Sequence, residues 1–477
     1  MKTNVFLLLS GITICTAGCT MAPEYTRPEA PVPAVWPTGA AYGEPPAATG
    51  APTALELPWR EFFTDEKLRQ VIETALDNNR DLRLAALNVE LARALYGIQR
   101  NELYPAVYAT AGGSKQRSSA DLTSPGYPRT TEQYNVNLGI LSWEIDFFGR
   151  LRSLEDRALR EYLATEQARR SAQIMLVSSV AHAYLALVAD REGLALAENT
   201  FQSQQAAYKL VQRQYEVGVA TELDLRRAQM PVDTARGDIA SYTQLVAQDE
   251  NVLNLLVGSS VPEHLLPAQL ASIIPPEDVS PGLSSESLLR RPDIIAAEHQ
   301  LQGAYAHIGA ARAAFFPNIS LTTTLGTASD ELSGLFKSGS GTWSYAGQVA
   351  MPIFDARTWS AYRITKVQRK VAITAYEKAI QSAFREVADA LAVRGTVDQQ
   401  VSAQQSLVDA AAETYRLSTA RYDKGIDSYL SVLDAQRSLY AAQQGLVYLR
   451  LAKLANDVRL YAVLGGGGDS SAETTQP

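Results

Sequence analysis

One stretch of this chain is written twice. Tyr215 to Gln229 reads YEVGVATELDLRRAQ, and Tyr422 to Arg437 reads YDKGIDSYLSVLDAQR. The copies align without a gap, Tyr215 with Tyr422, Gly218 with Gly425 and Ala228-Gln229 with Ala435-Gln436. A longer match lies upstream, where Asn78 to Pro105 aligns with Arg290 to Pro317, setting Asp81 on Asp293, Arg100 on Arg312 and Pro105 on Pro317. A duplicated supersecondary unit follows from these matches alone. Each YxxG stretch ends a long run free of proline, so each reads as a helix, a glycine tip at Gly218 or Gly425, and a returning helix. Glycine accepts the left-handed backbone that such a helix stop needs.

The seven-residue spacing sets the helix length. Val180, Leu187, Leu194, Phe201, Tyr208 and Tyr215 recur every seventh position, the pattern that drives helix-on-helix coiling. Val387, Val401, Val408, Tyr415 and Tyr422 repeat it in the second half, with Arg394 interrupting. At ~1.5 Å per residue such helices extend on the order of 100 Å. Pro231 is expected to start or kink the first returning helix. Earlier, a helix begins after Thr64-Asp65, both good N-cap residues.

Between the helical runs the period changes to two. Val107, Ala109 and Ala111 alternate with Tyr108, Thr110 and Gly112, and Tyr134, Val136, Leu138 and Ile140 with Asn135, Asn137 and Gly139. The second half offers Ile319, Leu321, Thr323 and Leu325, then Trp343, Tyr345, Gly347 and Val349. Strands near ten residues with one apolar face suit an outer-membrane barrel, and Trp343 and Tyr345 suit its aromatic girdle. Half-buried strands of a soluble sheet fit the alternation equally well. Four strands cannot close a membrane barrel, which needs about eight or more. Open edges in lipid leave backbone groups unpaired at several kcal/mol each. If the strands span a membrane, several chains share one barrel.

Lys2, the apolar run from Val5 to Leu9 and Thr16-Ala17-Gly18-Cys19 form a secretory signal. Its ending resembles a bacterial lipoprotein signal, with Cys19 as the acylated first residue; an ordinary signal with an incidental cysteine is the alternative. Thr20 after that cysteine then suggests export to the outer membrane. The expected organisation is a signal over 1–18 and an extended tether or equatorial segment over 19–60. Repeat 1 spans 61–258 with a β-hairpin at about 104–148 and a tip near 218. A Pro-rich linker spans 259–289, repeat 2 spans 290–464 with a hairpin at about 317–354 and a tip near 425, and 465–477 is a disordered tail. No other segment offers an apolar run of ~20 residues.

Chemistry is sparse. The net charge of −8 brings no basic cluster for nucleic acid. His182, His264, His299 and His307 are scattered, without Glu or Cys at metal-ligand spacing. Gly-rich phosphate loops and nucleophile elbows are missing, so the expectation is a protein that is not an enzyme and holds no metal or cofactor. Polar runs such as Gln202-Ser203-Gln204-Gln205 suit either a wet lumen or an outer solvated face.

Several motifs carry a resemblance. Trp59-Arg60-Glu61-Phe62-Phe63, Trp143 to Arg150 (WEIDFFGR), Arg290 to Ile294 (RRPDI), Gly309 to Pro317 (GAARAAFFP) and Leu433 to Arg437 (LDAQR) resemble the outer-membrane factors of tripartite efflux pumps, the TolC/OprM type, and most closely its lipidated branch. The resemblance implies an α+β homotrimer. Its twelve-stranded transmembrane β-barrel continues into a twelve-helix periplasmic α-barrel, with an equatorial domain at the waist. It implies a passive exit duct in outer-membrane lipid, partnered by a periplasmic adaptor and a proton-driven inner-membrane transporter of the RND type. It implies a periplasmic gate at Leu430, Asp434, Arg437 and Tyr422: an apolar ring at Leu430, an acidic ring at Asp434 offset by Arg437, and a bond from Tyr422 to a neighbouring tip. A duct for type I protein secretion or metal-ion efflux, or a non-conducting structural coiled-coil lipoprotein, are the competing readings.

Overall fold

The computed structural model describes residues 20–42, 52–282 and 284–468. The signal segment, Cys19 and residues 469–477 lie outside the described residues. In chain order the helices are α1 (Trp59–Phe62), α2 (Glu66–Asn78), α3 (Arg80–Asn101), α4 (Arg150–Glu216), α5 (Glu222–Val257), α6 (Pro292–Ala313), α7 (Ala356–Asp423) and α8 (Tyr429–Val463). The strands are β1 (Val107–Arg117), β2 (Thr130–Glu144), β3 (Asn318–Ser329) and β4 (Gly341–Ala350). The chain divides into two compact units.

The first unit comprises residues 20–29, 88–165 and 296–376 and contains a four-stranded antiparallel sheet in the order β1-β2-β3-β4. Its register sorts the side chains by chemistry. One row across the sheet is Ala109, Leu138, Leu325 and Trp343; the neighbouring row on the same face is Val107, Ile140, Thr323 and Tyr345. The rows alternating with them, Thr110-Asn137-Gly326-Thr342 and Tyr108-Gly139-Thr324-Ser344, form the polar face. The apolar face is uncovered within the chain: Leu138, Leu325, Trp343 and Tyr345 are 55%, 67%, 79% and 72% exposed. β1 and β4 each pair on one side only.

Two ion pairs turn the sheet into helix. At the end of β2, Glu144 takes the guanidinium of Arg150 through two hydrogen bonds of 2.8 and 2.6 Å. Asp146 takes Arg152 from both its backbone and side chain. Gly149 makes the corner with φ 73, and Phe148 stacks on Phe316 at 5.0 Å. The N-terminal segment, expected as an extended tether or equatorial segment, is fastened here. Tyr25 and Arg27 both donate to Glu298, which is buried, and Arg312 donates to the Met21 carbonyl.

The second unit holds residues 30–42, 52–87, 166–282, 284–295 and 377–468. Its core contains Phe62 stacked on Tyr461 at 3.8 Å, with Phe63 and Trp59 buried beside them. The Tyr461 hydroxyl donates to the Leu57 carbonyl at 2.7 Å. Arg291, 9% exposed, forks onto Asp293, reaches Glu386 and donates to the Val463 carbonyl. The heptad stripe is buried at Val180, Leu187 and Val387. Nearer the tip it opens, and Tyr215 is 41% exposed.

Four expectations change. The helix after Asp65 is two helices, because Asn79 ends α2 with extended backbone and its side chain caps α3 by accepting from the Leu82 amide at 2.8 Å. Pro231 does not start the returning helix. In a capping box the Asp224 amide donates to the Thr221 hydroxyl and the Thr221 amide to the Asp224 carboxylate, so α5 is already established at Glu222 and runs on through the proline. The tail is not disordered from 465: Gly465 and Gly466 are buried, and Gln173 donates to the Gly467 carbonyl. α4 contains a window apolar and long enough to cross a membrane, but 61% of it is buried, the mark of a core helix.

If the apolar face meets lipid, Leu325→Arg costs on the order of 1–4 kcal/mol depending on depth. Ser344→Arg, in the adjacent row on the opposite face, costs less than ~1 kcal/mol. Urea-dependent unfolding from lipid vesicles reads the difference; equal losses for both would refute the facing assignment.

Candidate functional site

Both tips close the same way. At the first, the Gly218 amide donates to the Tyr215 carbonyl and the Val219 amide to that of Gln214. At the second, Gly425 donates to Tyr422 and Ile426 to Arg421. This paired bonding, with φ 76 at Gly218 and φ 70 at Gly425, is a Schellman stop, which satisfies the carbonyls a helix end leaves free. Beyond the glycine the tips differ. Tip 1 restarts under the Thr221–Asp224 capping box. At tip 2, Ser428 makes no side-chain cap, and Arg421 reaches over the turn to Asp427 through two hydrogen bonds of 2.5 and 3.2 Å.

Leu430, Asp434 and Arg437 all lie on α8. Arg437 donates to Asp434 at 3.0 Å, both side chains exposed, so within one chain the pair contributes only ~0.3–0.5 kcal/mol. The three residues line a cleft of about 280 Å³ with Arg227, Met230 and Gln204. Tyr422 does not line it. Its ring packs against Tyr429 with centroids 5.1 Å apart, and burial and the neighbouring tyrosines push Tyr429 up to about 12, which keeps its hydroxyl protonated.

Three contacts at the tips are not legible in the sequence. Arg227, the duplicate of the Asp434 position, lines the same cleft as Asp434 itself, so opposite charges from the two repeats share one cleft. Within the Gln202 to Gln205 run only Gln204 is buried, at 3% exposed, while the exposed Ser203 accepts at its hydroxyl from Gln436, itself 7% exposed, at 3.0 Å. Arg421–Asp427 spans the tip glycine at a spacing no helical rule anticipates. The histidines stay apart, His299 meeting Gln302 and His307 meeting Gln368. Among the described residues no group of three or more His, Cys, Asp and Glu side chains converges.

Residues 71–259 and 283–466 match the family described as Outer membrane efflux protein. The chain belongs to that family. It is 47% identical to the probable efflux pump outer membrane protein TtgC of Pseudomonas putida, covering 98% of this chain and 96% of TtgC. It is 40% identical to the outer membrane protein OprJ of Pseudomonas aeruginosa, over 98% and 96%. Among solved structures, the open state of the Neisseria gonorrhoeae MtrE outer membrane channel superposes with a TM-score of 0.84 at 37% identity, over 94% of this chain and 98% of MtrE. CusC gives 0.80 at 39% identity, over 94% and 100%. This outer membrane efflux protein therefore has the duplicated α+β fold of the outer-membrane channels and resides in the outer membrane, extending into the periplasm. Its family is one of channels rather than of enzymes.

The tip glycine can be tested directly. A Cβ at Gly425 meets nothing within 4 Å, so Gly425→Ala adds backbone strain alone, about 1–2 kcal/mol. Hydrogen exchange of the Gly425 and Ile426 amide region should accelerate roughly five- to thirtyfold. Unchanged exchange would contradict the tip assignment.

Proposed function

We propose that this protein is the exit duct of a tripartite efflux pump, passively conducting apolar drugs and solvents from the periplasm to the exterior. Near full-length identity carries this reading, since the relatives with 47% identity include efflux pump proteins named for antibiotics, toluene and solvents. Three chains close one barrel from their four-stranded sheets. A periplasmic adaptor and a proton-driven inner-membrane transporter supply cargo and energy, and the duct itself performs no catalytic step and needs no cofactor. Cys19 carries the lipid; the mature chain should begin at Cys19 with acyl mass added, and an unmodified Cys19 would overturn that part.

The gate sits at the second tip. Three-fold symmetry gathers three copies of Leu430, Asp434 and Arg437 about one opening, with Tyr422 holding neighbouring tips. The apolar Leu430 ring disfavours water and ions, while the Asp434 carboxylates favour cations. The adaptor and transporter open it by binding the open state more tightly than the closed one. Arg227 supports the assignment, because its cation lines the same cleft as the Asp434 carboxylate.

Asp434→Ala should leave thermal stability within ~0.5 kcal/mol of wild type yet raise single-channel conductance in planar bilayers and weaken cation selectivity. Unchanged conductance and selectivity would sink the gate; a chain unable to lower dye accumulation in cells lacking the duct would sink efflux.

A further inference from the structure

A cavity of about 440 Å³ opens within the second unit, between α4, the start of α6, α7 and the end of α8. Three arginines and two carboxylates line it. Arg291 holds both carboxylates: it forks onto Asp293 at 3.0 and 2.8 Å and reaches Glu386 at 3.1 Å. Two cations are left over. Arg385 is exposed and makes no hydrogen bond or ion pair among the described residues. Arg459 stands 4.0 Å from Asp389, the outer limit of an ion pair, with the two side chains 44% and 53% exposed.

The uncharged wall adds to this surplus. Ser178 and Ser179 line the cavity, and their hydroxyls make no hydrogen bond among the described residues. The hydroxyl oxygen of Ser171, on the same stretch of α4, is buried without a partner. Burial, and the Arg459 guanidinium with it, hold His182 below the usual histidine range, so its ring is neutral at about pH 7. Beside these groups the wall is apolar, at Ile174, the 64% exposed Met175, Ala462 and Val463. A guanidinium donates and never accepts. Two uncommitted guanidiniums with free hydroxyls beside them therefore call for an acceptor, and a negatively charged one binds most strongly.

We propose that this cavity binds a small amphipathic organic anion. Arg385 and Arg459, with the Ser178 and Ser179 hydroxyls, hold its carboxylate or sulfonate, and its apolar body lies against Ile174 and Met175. Guanidinium N–H groups match the paired oxygens of such an anion. At about 440 Å³ the cavity falls in the size range of small-molecule sites, roughly 300–1,000 Å³. As a binding site it depends on the fold of one chain alone. As a station for cargo it rests on the exit-duct reading, and it adds amphipathic anions to the apolar molecules proposed there.

Isothermal titration of naphthalene-2-sulfonate into the full-length protein, transferred from detergent into amphipol, tests the site. Saturable binding is expected. Arg385→Gln and Arg459→Gln, both at accessible side chains, should each weaken it about tenfold or more, the usual effect of losing a hydrogen bond to a charged group. Met175→Ser should weaken naphthalene-2-sulfonate but leave methanesulfonate unchanged. Wild-type affinity in both arginine variants would overturn the site. Equal binding of 2-naphthylmethylammonium would overturn its preference for anions. Inorganic sulfate bound as tightly as the aromatic sulfonate would mean an adventitious ion only and overturn the amphipathic class. A chain that binds the probe yet fails to lower dye accumulation sinks efflux and leaves the site standing, whereas one that restores efflux without binding the probe sinks the site.

Discussion

Unpaired backbone at the two edges of one small sheet constrains everything else. In lipid no water replaces a missing hydrogen bond, and each unsatisfied amide or carbonyl costs several kcal/mol. β1 and β4 each present such an edge, and the face between them is apolar and uncovered. Neither a soluble sandwich nor a lone membrane sheet satisfies both facts. Joining copies edge to edge satisfies them together, because closure removes the edges while the apolar face turns to the bilayer and the Asn, Thr and Ser face turns to a lumen.

Helices inherit the same logic. A stripe on a helix of 67 or 68 residues is stabilised chiefly by packing against neighbours, since propensity alone contributes little. Within the chain the stripe is covered where Val180, Leu187 and Val387 lie and opens toward Tyr215. The duplication's departures from symmetry fall at the tips: Arg227 against Asp434, and a capping box at tip 1 against the Arg421–Asp427 bridge at tip 2.

Periodicity made much of the fold legible. The two hairpins, the tip glycines and the Asp65 cap follow from short-range rules, because each reports a local backbone demand. Asn79 and Pro231 were harder. Asn79 ends one helix and caps the next with a single side chain, and the capping box starts α5 upstream of Pro231, which leaves the proline inside the helix. The site was legible in part. Leu430, Asp434 and Arg437 share a helix face by spacing, and the structure brings them to one cleft. Arg227, Gln204 and Gln436 join through long-range packing of the two repeats, which no local pattern encodes. The WEIDFFGR motif likewise reveals its logic only in three dimensions, as two carboxylates holding two arginines around a strand-to-helix corner.

The central claim is that a four-stranded sheet with two open edges obliges several chains to share one closed barrel, and that their number is three. Native mass spectrometry of the wild-type protein, extracted from outer membranes in mild detergent, tests it most directly. The account predicts a single species of three copies that resists dissociation until the sheet unfolds. A stable folded monomer, or a closed assembly with another number of copies, would contradict it.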